Sequence, residues 1–147
     1  MISLLLDNGA SISAQSSAGG TPLYCAVSNN QIEILRLLLS RIDPHDPVPA
    51  LEAPLNNAYT PLHEAAQTLN VTATKLLAAG ADARARSAYP NQTALHLVAR
   101  KCTRTLPKHA VQAIEVMRLL IEAGCPVDAS TRWVKRRCTW QPPHSSR

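Results

Sequence analysis

The chain has 147 residues, 46% of them apolar and 17% charged, with 3% aromatics, no Phe and a formal net charge of +5. One domain is expected at this length, and its core must come from Leu, Ile, Val and Ala, which favours helices over an aromatic-rich β-sandwich. No apolar stretch reaches the roughly 18 residues of a membrane-spanning helix, and the apolar start meets Asp7 with no basic segment ahead of it, so it does not read as a secretory signal.

In chain order, Leu4-Leu5-Leu6 ends an apolar helix closed by Gly9. Gly19-Gly20 make a turn before Thr21-Pro22-Leu23-Tyr24. Thr is a good N-cap and Pro is tolerated at the first helical position, so Thr21-Pro22 opens a helix. The polar break Ser28-Asn29-Asn30-Gln31 follows, with Asn30 where a left-handed residue is needed. A second helix then carries Ile32, Ile34, Leu35, Leu37, Leu38 and Leu39, apolar on most faces, as suits a helix packed on both sides. Pro44, Pro47, Pro49 and Pro54 mark an insertion that should loop out without helix. Thr60-Pro61-Leu62-His63 with Ala65-Ala66 opens the next helix, and Leu76-Leu77 leads to Gly80-Ala81-Asp82. Thr93-Ala94-Leu95-His96 opens another, and Leu119-Leu120 leads to Gly124. About ten extra residues, near 103–112 and including Pro107, separate these last two segments.

The Thr-Pro-Leu-His motif thus recurs at spacings of 39 and 33 residues, and the Leu-run-to-Gly motif recurs out of phase with it. The pattern resembles the ankyrin repeat family, which has a 33-residue period and a T-P-L-H-x-A signature. The resemblance covers residues 1 to about 129. It implies an all-α solenoid of antiparallel helix pairs with short β-turn fingers. The units run as a partial repeat over 1–13 and repeats over about 14–46, 55–82 and 83–129, with insertions near 44–54 and 103–112. Residues 130–147 form a basic tail that is expected to be disordered. Neither end reads as a polar capping repeat, so the chain is expected to be a fragment or shortened isoform of a longer array. The residues that match the motif, as structural positions, are Thr21, Pro22, Thr60, Pro61, His63, Thr93 and His96, with Gly9, Gly80 and Gly124 as helix C-caps.

Little in the sequence points to catalysis. His63 and His96 occupy matching places and could be read as a metal pair, but Tyr24 stands at the same place in the second unit and no Cys or carboxylate recurs beside them. In the family this His bonds neighbouring backbone and ties finger to helix. Cys25, Cys102, Cys125 and Cys138 show no C-x-x-C spacing. Cys25 and Cys102 are the thiols to weigh as nucleophiles, and neither has an evident oriented base. No glycine-rich phosphate loop is present. The expectation is no enzyme, no cofactor and no metal.

The resemblance implies binding through the finger tips and the outward face of the first helices. Those positions carry Gln15, Ser16, Ser17, Cys25, Ser28 and Asn29 in the second unit and Tyr59, Glu64, Gln67 and Thr68 in the third. The fourth offers Arg84, Arg86, Ser87, Tyr89, Asn91, Gln92, Leu97, Arg100 and Lys101. Tyr89 beside Arg84 and Arg86 is the kind of cluster that anchors interfaces, and its expected ligand is acidic. The residues singled out for partner binding are Glu64, Arg84, Arg86, Tyr89, Arg100 and Lys101.

The leading function is a non-catalytic module that binds another protein, placed inside the cell, in cytoplasm or nucleus. One alternative is the substrate-recognition part of a longer adaptor, such as a ubiquitin-ligase receptor; no SOCS box is readable in residues 131–147. The other is an anionic or nucleic-acid binder using Lys135-Arg136-Arg137 with Trp133 and Trp140, together with the bases between Arg84 and Lys108. Nucleic acid is the weaker reading. Five of the fifteen basic residues lie in 131–147, so residues 1–130 hold ten basic against ten acidic side chains.

Overall fold

A computed structural model describes residues 2–42, 51–52, 58–78, 80–88, 91–102 and 109–127. The helices whose bounds are described are α1 (Ile2–Asp7), α2 (Pro22–Ser28), α3 (Ile32–Ser40), α4 (Pro61–Thr68), α5 (Val71–Ala78), α6 (Ala94–Cys102) and α7 (Ala110–Glu122). No strand occurs among the described residues.

Local chemistry sets the starts and stops. Thr21 is extended, and its Oγ1 accepts from the Tyr24 N–H at 3.2 Å, with Pro22 opening the helix. A cap of this kind contributes about 1 kcal/mol. Thr60 and Pro61 open α4 in the same way. Asn30 turns the chain from α2 into α3 with φ +54°, a conformation Asn tolerates better than most residues. Gly9 (φ +86°) and Gly124 (φ +88°) also take the left-handed region after their helices.

Three positions depart from the sequence reading. Gly80 is not left-handed; a side chain there would meet Leu51 Cδ1 at 3.3 Å, so its place in the fold rests on close packing rather than on a cap turn. Leu51 and Glu52, inside the insertion expected to loop out without helix, are helical, and Leu51 packs on the core. Its prolines stand at 44, 47, 49 and 54 and leave this dipeptide free to turn. The last helix begins at Ala110, inside the insertion read as reaching about residue 112.

Packing sorts the helices into two rows. α2, α4 and α6 lie side by side in sequence order, and α3, α5 and α7 form the second row behind them. Within each unit α2 packs on α3, α4 on α5, and α6 on α7. One core runs through all of them: Leu23, Leu35, Leu38, Leu62, Leu77, Val98, Val116 and Leu120 are fully buried, with Ala65, Ala66 and Ala73 between them. The alanines let the helix axes approach, which a core without Phe requires. Helix α1 buries none of its residues fully, although Leu6 touches the core and Asp7 pairs with Arg41 at 2.7 Å. That pair is exposed and contributes at most about 1 kcal/mol.

Candidate binding surface

His63 is held at both ring nitrogens. Its ring is buried, Nδ1 accepts from the Thr60 N–H at 3.2 Å and lies 2.8 Å from Thr60 Oγ1, and Nε2 lies 3.0 Å from the Gln92 carbonyl. An Nε2–H tautomer satisfies every partner. Gln92 belongs to the next finger, so the bond joins consecutive units. Burial pushes the His63 pKa down, against the raising effect of its bond to the Gln92 carbonyl. His96 repeats the arrangement half-buried, with Nδ1 2.7 Å from Thr93 Oγ1 and 3.3 Å from the Thr93 N–H. Nδ1 of each ring is thus bound within its own cap, and His63 Nε2 reaches the next finger as well.

The fingers are closed by serines. Ser16 N–H donates to the Gly20 carbonyl at 3.0 Å, and Ser16 Oγ accepts from Gly20 N–H at 3.1 Å. Ser87 and Gln92 repeat both bonds, at 3.0 and 3.1 Å, one residue further apart. Ser87 is therefore buried rather than outward, which corrects its place among the surface residues. Leu97 is corrected too: α6 packs on both α4 and α7, and Leu97 is only 4% exposed.

A polar row crosses the first helices. Tyr24 Oη on α2 donates to Glu64 Oε2 on α4 at 3.0 Å. Tyr59, just before α4, bonds through Oη to Gln67 Oε1, and its ring lies against His63 with centroids 5.3 Å apart. Lys101 Nζ on α6 donates to the Gln67 carbonyl at 2.6 Å, at the negative end of α4. Burial, and then the bond to Glu64, pushes the Tyr24 phenol up to about 12. Burial also raises Tyr59, with Glu64 adding to the shift and Arg100 opposing it. Both phenols are therefore neutral at physiological pH and keep their hydroxyl protons.

Of the residues singled out from the sequence, Glu64, Arg100 and Lys101 gather at this row. Arg84 and Arg86 lie on the finger before α6: the Arg86 guanidinium donates to the Asn91 carbonyl at 3.1 Å, and the Arg84 N–H donates to Asp82 Oδ1 at 2.8 Å. Tyr89, the side chain of Cys102, and the basic tail with Trp133 and Trp140 lie outside the described residues. Tyr24 was missed as a surface residue because it was read only as a substitute for the motif His. Its extra length was the available signal: a phenol at that place reaches past the cap to the neighbouring helix.

Residues 1–39 match the family described as ankyrin repeats (many copies). Over that stretch the chain is similar to ankyrin repeats. The match spans α1, α2 and nearly all of α3, and the pairs α4–α5 and α6–α7, opened by Thr60-Pro61 and Thr93-Ala94, follow the same order behind them. No curated protein matches the chain. Among the described residues no helix is long and apolar enough to cross a membrane.

Proposed function

We propose that the helix pairs form an ankyrin-type solenoid through residue 127, and that its row of first helices and fingers is a non-catalytic docking face for another protein. The observation that carries this reading is the polar row from Tyr24 through Glu64, Tyr59 and Gln67 to Lys101. It offers two neutral tyrosines, Tyr24 on α2 and Tyr59 just before α4, beside helices whose backs are locked into one core. Tyr loses little entropy on binding and is enriched at interface anchors. A surface fixed in advance gives up less freedom when a partner docks. Arg100 and Lys101 at the α6 end favour an acidic partner segment there. The adaptor reading adds a second role for a longer protein to the same docking face.

The test is site-specific photo-crosslinking with a benzophenone side chain at Gln67 on α4 or at Lys75, which is exposed on α5 in the second row. Position 67 should give a discrete crosslinked protein and position 75 none. A partner trapped only from position 75 would place binding on the second row and refute the proposal.

A further inference from the structure

Two fingers begin alike. Gly9-Ala10-Ser11 follows α1, and Gly80-Ala81-Asp82 follows α5. Ser11 Oγ accepts from the Ser13 N–H at 3.2 Å, and the Ser11 carbonyl accepts from the Ala14 N–H at 3.3 Å. Asp82 turns the chain at the same offsets: Oδ1 accepts from the Arg84 N–H at 2.8 Å, and the carbonyl accepts from the Ala85 N–H at 3.1 Å. Short polar side chains at such a place bond their own backbone two residues on. The later finger carries an addition from the insertion. Glu52 Oε1 accepts from the Asp82 N–H at 2.6 Å. Leu51 Cδ1 stands 3.3 Å from where a Cβ on Gly80 would lie, whereas a Cβ on Gly9 would meet nothing within 4 Å. Burial raises the Glu52 pKa, with the bond to Asp82 opposing and the Asp82 charge adding to the rise.

We infer, on the reading of first helices and fingers as the docking face, that Leu51 and Glu52 are positioning residues for it: they brace the base of the finger that presents Arg84 and Arg86. A carboxylate that holds the Asp82 N–H holds the residue whose side chain and carbonyl both turn the chain at Arg84 and Ala85. At its far end the same finger is held by His63, through the Gln92 carbonyl at 3.0 Å. Arg84 and Arg86 stand between these two attachments. A loop fixed at both ends gives up less freedom when a ligand engages it. The brace needs an acceptor rather than a charge, since Glu52 and Asp82 are like-charged neighbours that repel. The insertion is thus a place from which the basic finger can be loosened while the core stays packed.

The test is amide exchange with water, measured by NMR on the full chain. It needs no partner, so its failure and a failure of the docking face are separate results. Glu52→Ala should speed exchange at the Asp82, Arg84 and Ala85 amides about five-fold, the weight of one hydrogen bond at the edge of solvent. The Ser13 and Ala14 amides of the other finger and the Leu62 and Val98 amides of the core should keep their rates. Glu52→Gln should restore the rates of the unchanged chain, because its side-chain carbonyl accepts the same bond. Leu51→Ala should speed the same three amides by a smaller factor. Unchanged rates at all three amides in Glu52→Ala would overturn the inference. So would an acceleration in Glu52→Gln equal to that in Glu52→Ala, or one spread evenly over both fingers and the core.

Discussion

Leu77→Ala is expected to lower the unfolding free energy by about 2–5 kcal/mol. Leu77 is 0% exposed on α5, which packs against α3, α4 and α7, so the lost side chain leaves a cavity bordered by three units. The walls cannot close on it, because each wall is a helix held by its own pair. A domain of this size has about 5–15 kcal/mol in total, so the loss is a large share of it. Urea unfolding followed by circular dichroism should show an earlier midpoint with an unchanged slope. Lys75→Ala, two residues away on the exposed face, should stay within about 0.5 kcal/mol. A Leu77→Ala cost below about 1 kcal/mol would mean that α5 does not sit inside a continuous core.

His63→Ala should cost about 3 kcal/mol, because it strands the Thr60 N–H and the Gln92 carbonyl in a buried setting. The same change at the half-buried His96 should cost less. The pH dependence has a definite sign. The pKa of His63 in the fold lies below its ordinary 6.5, so the unfolded chain binds the proton more readily. The contribution is fully present above about pH 6.5 and is lost as pH falls from there toward the lower folded-state value, with a limiting slope of about 1.4 kcal/mol per pH unit. Unfolding free energies measured between pH 7.5 and 5 should fall on the acid side, and the His63→Ala variant should lose that part of the slope. Equal slopes in the two proteins would show that the ring is not held neutral in the fold.

The helix starts were legible because Thr-Pro has local reasons to open a helix, and the Leu runs because only a doubly packed helix is apolar on most faces. Asn30 was legible because Asn tolerates a left-handed turn. Leu69 was not: it takes φ +56° after α4 while only 7% exposed. Nothing in a Leu announces that conformation. Tertiary burial of its side chain imposes it, and such backbone strain costs of order 1 kcal/mol. The insertion failed in the same way. Proline clusters argue against helix locally, but Leu51 had a place to pack, against Gly80, that only the folded chain provides.

The surface was legible by position rather than by partner. Glu64 and Gln67 fell on the outward face because their register put them there. Ser87 and Leu97 did not, since a finger hydrogen bond and a helix packed on two sides drew them inward. Tyr24 entered the polar row through a contact forty residues away in sequence, with Glu64.

The central claim is that α2 to α7 form one packed stack that holds the first-row face rigid. Native-state amide hydrogen exchange tests it most directly. The account predicts that the amides of Leu62, Ala65 and Ala66 in α4 and of Leu97, Val98 and Ala99 in α6 exchange slowest and share one opening free energy equal to that of global unfolding. Amides of α4 opening several kcal/mol more easily than those of α6, or exchanging as fast as free peptide, would contradict it.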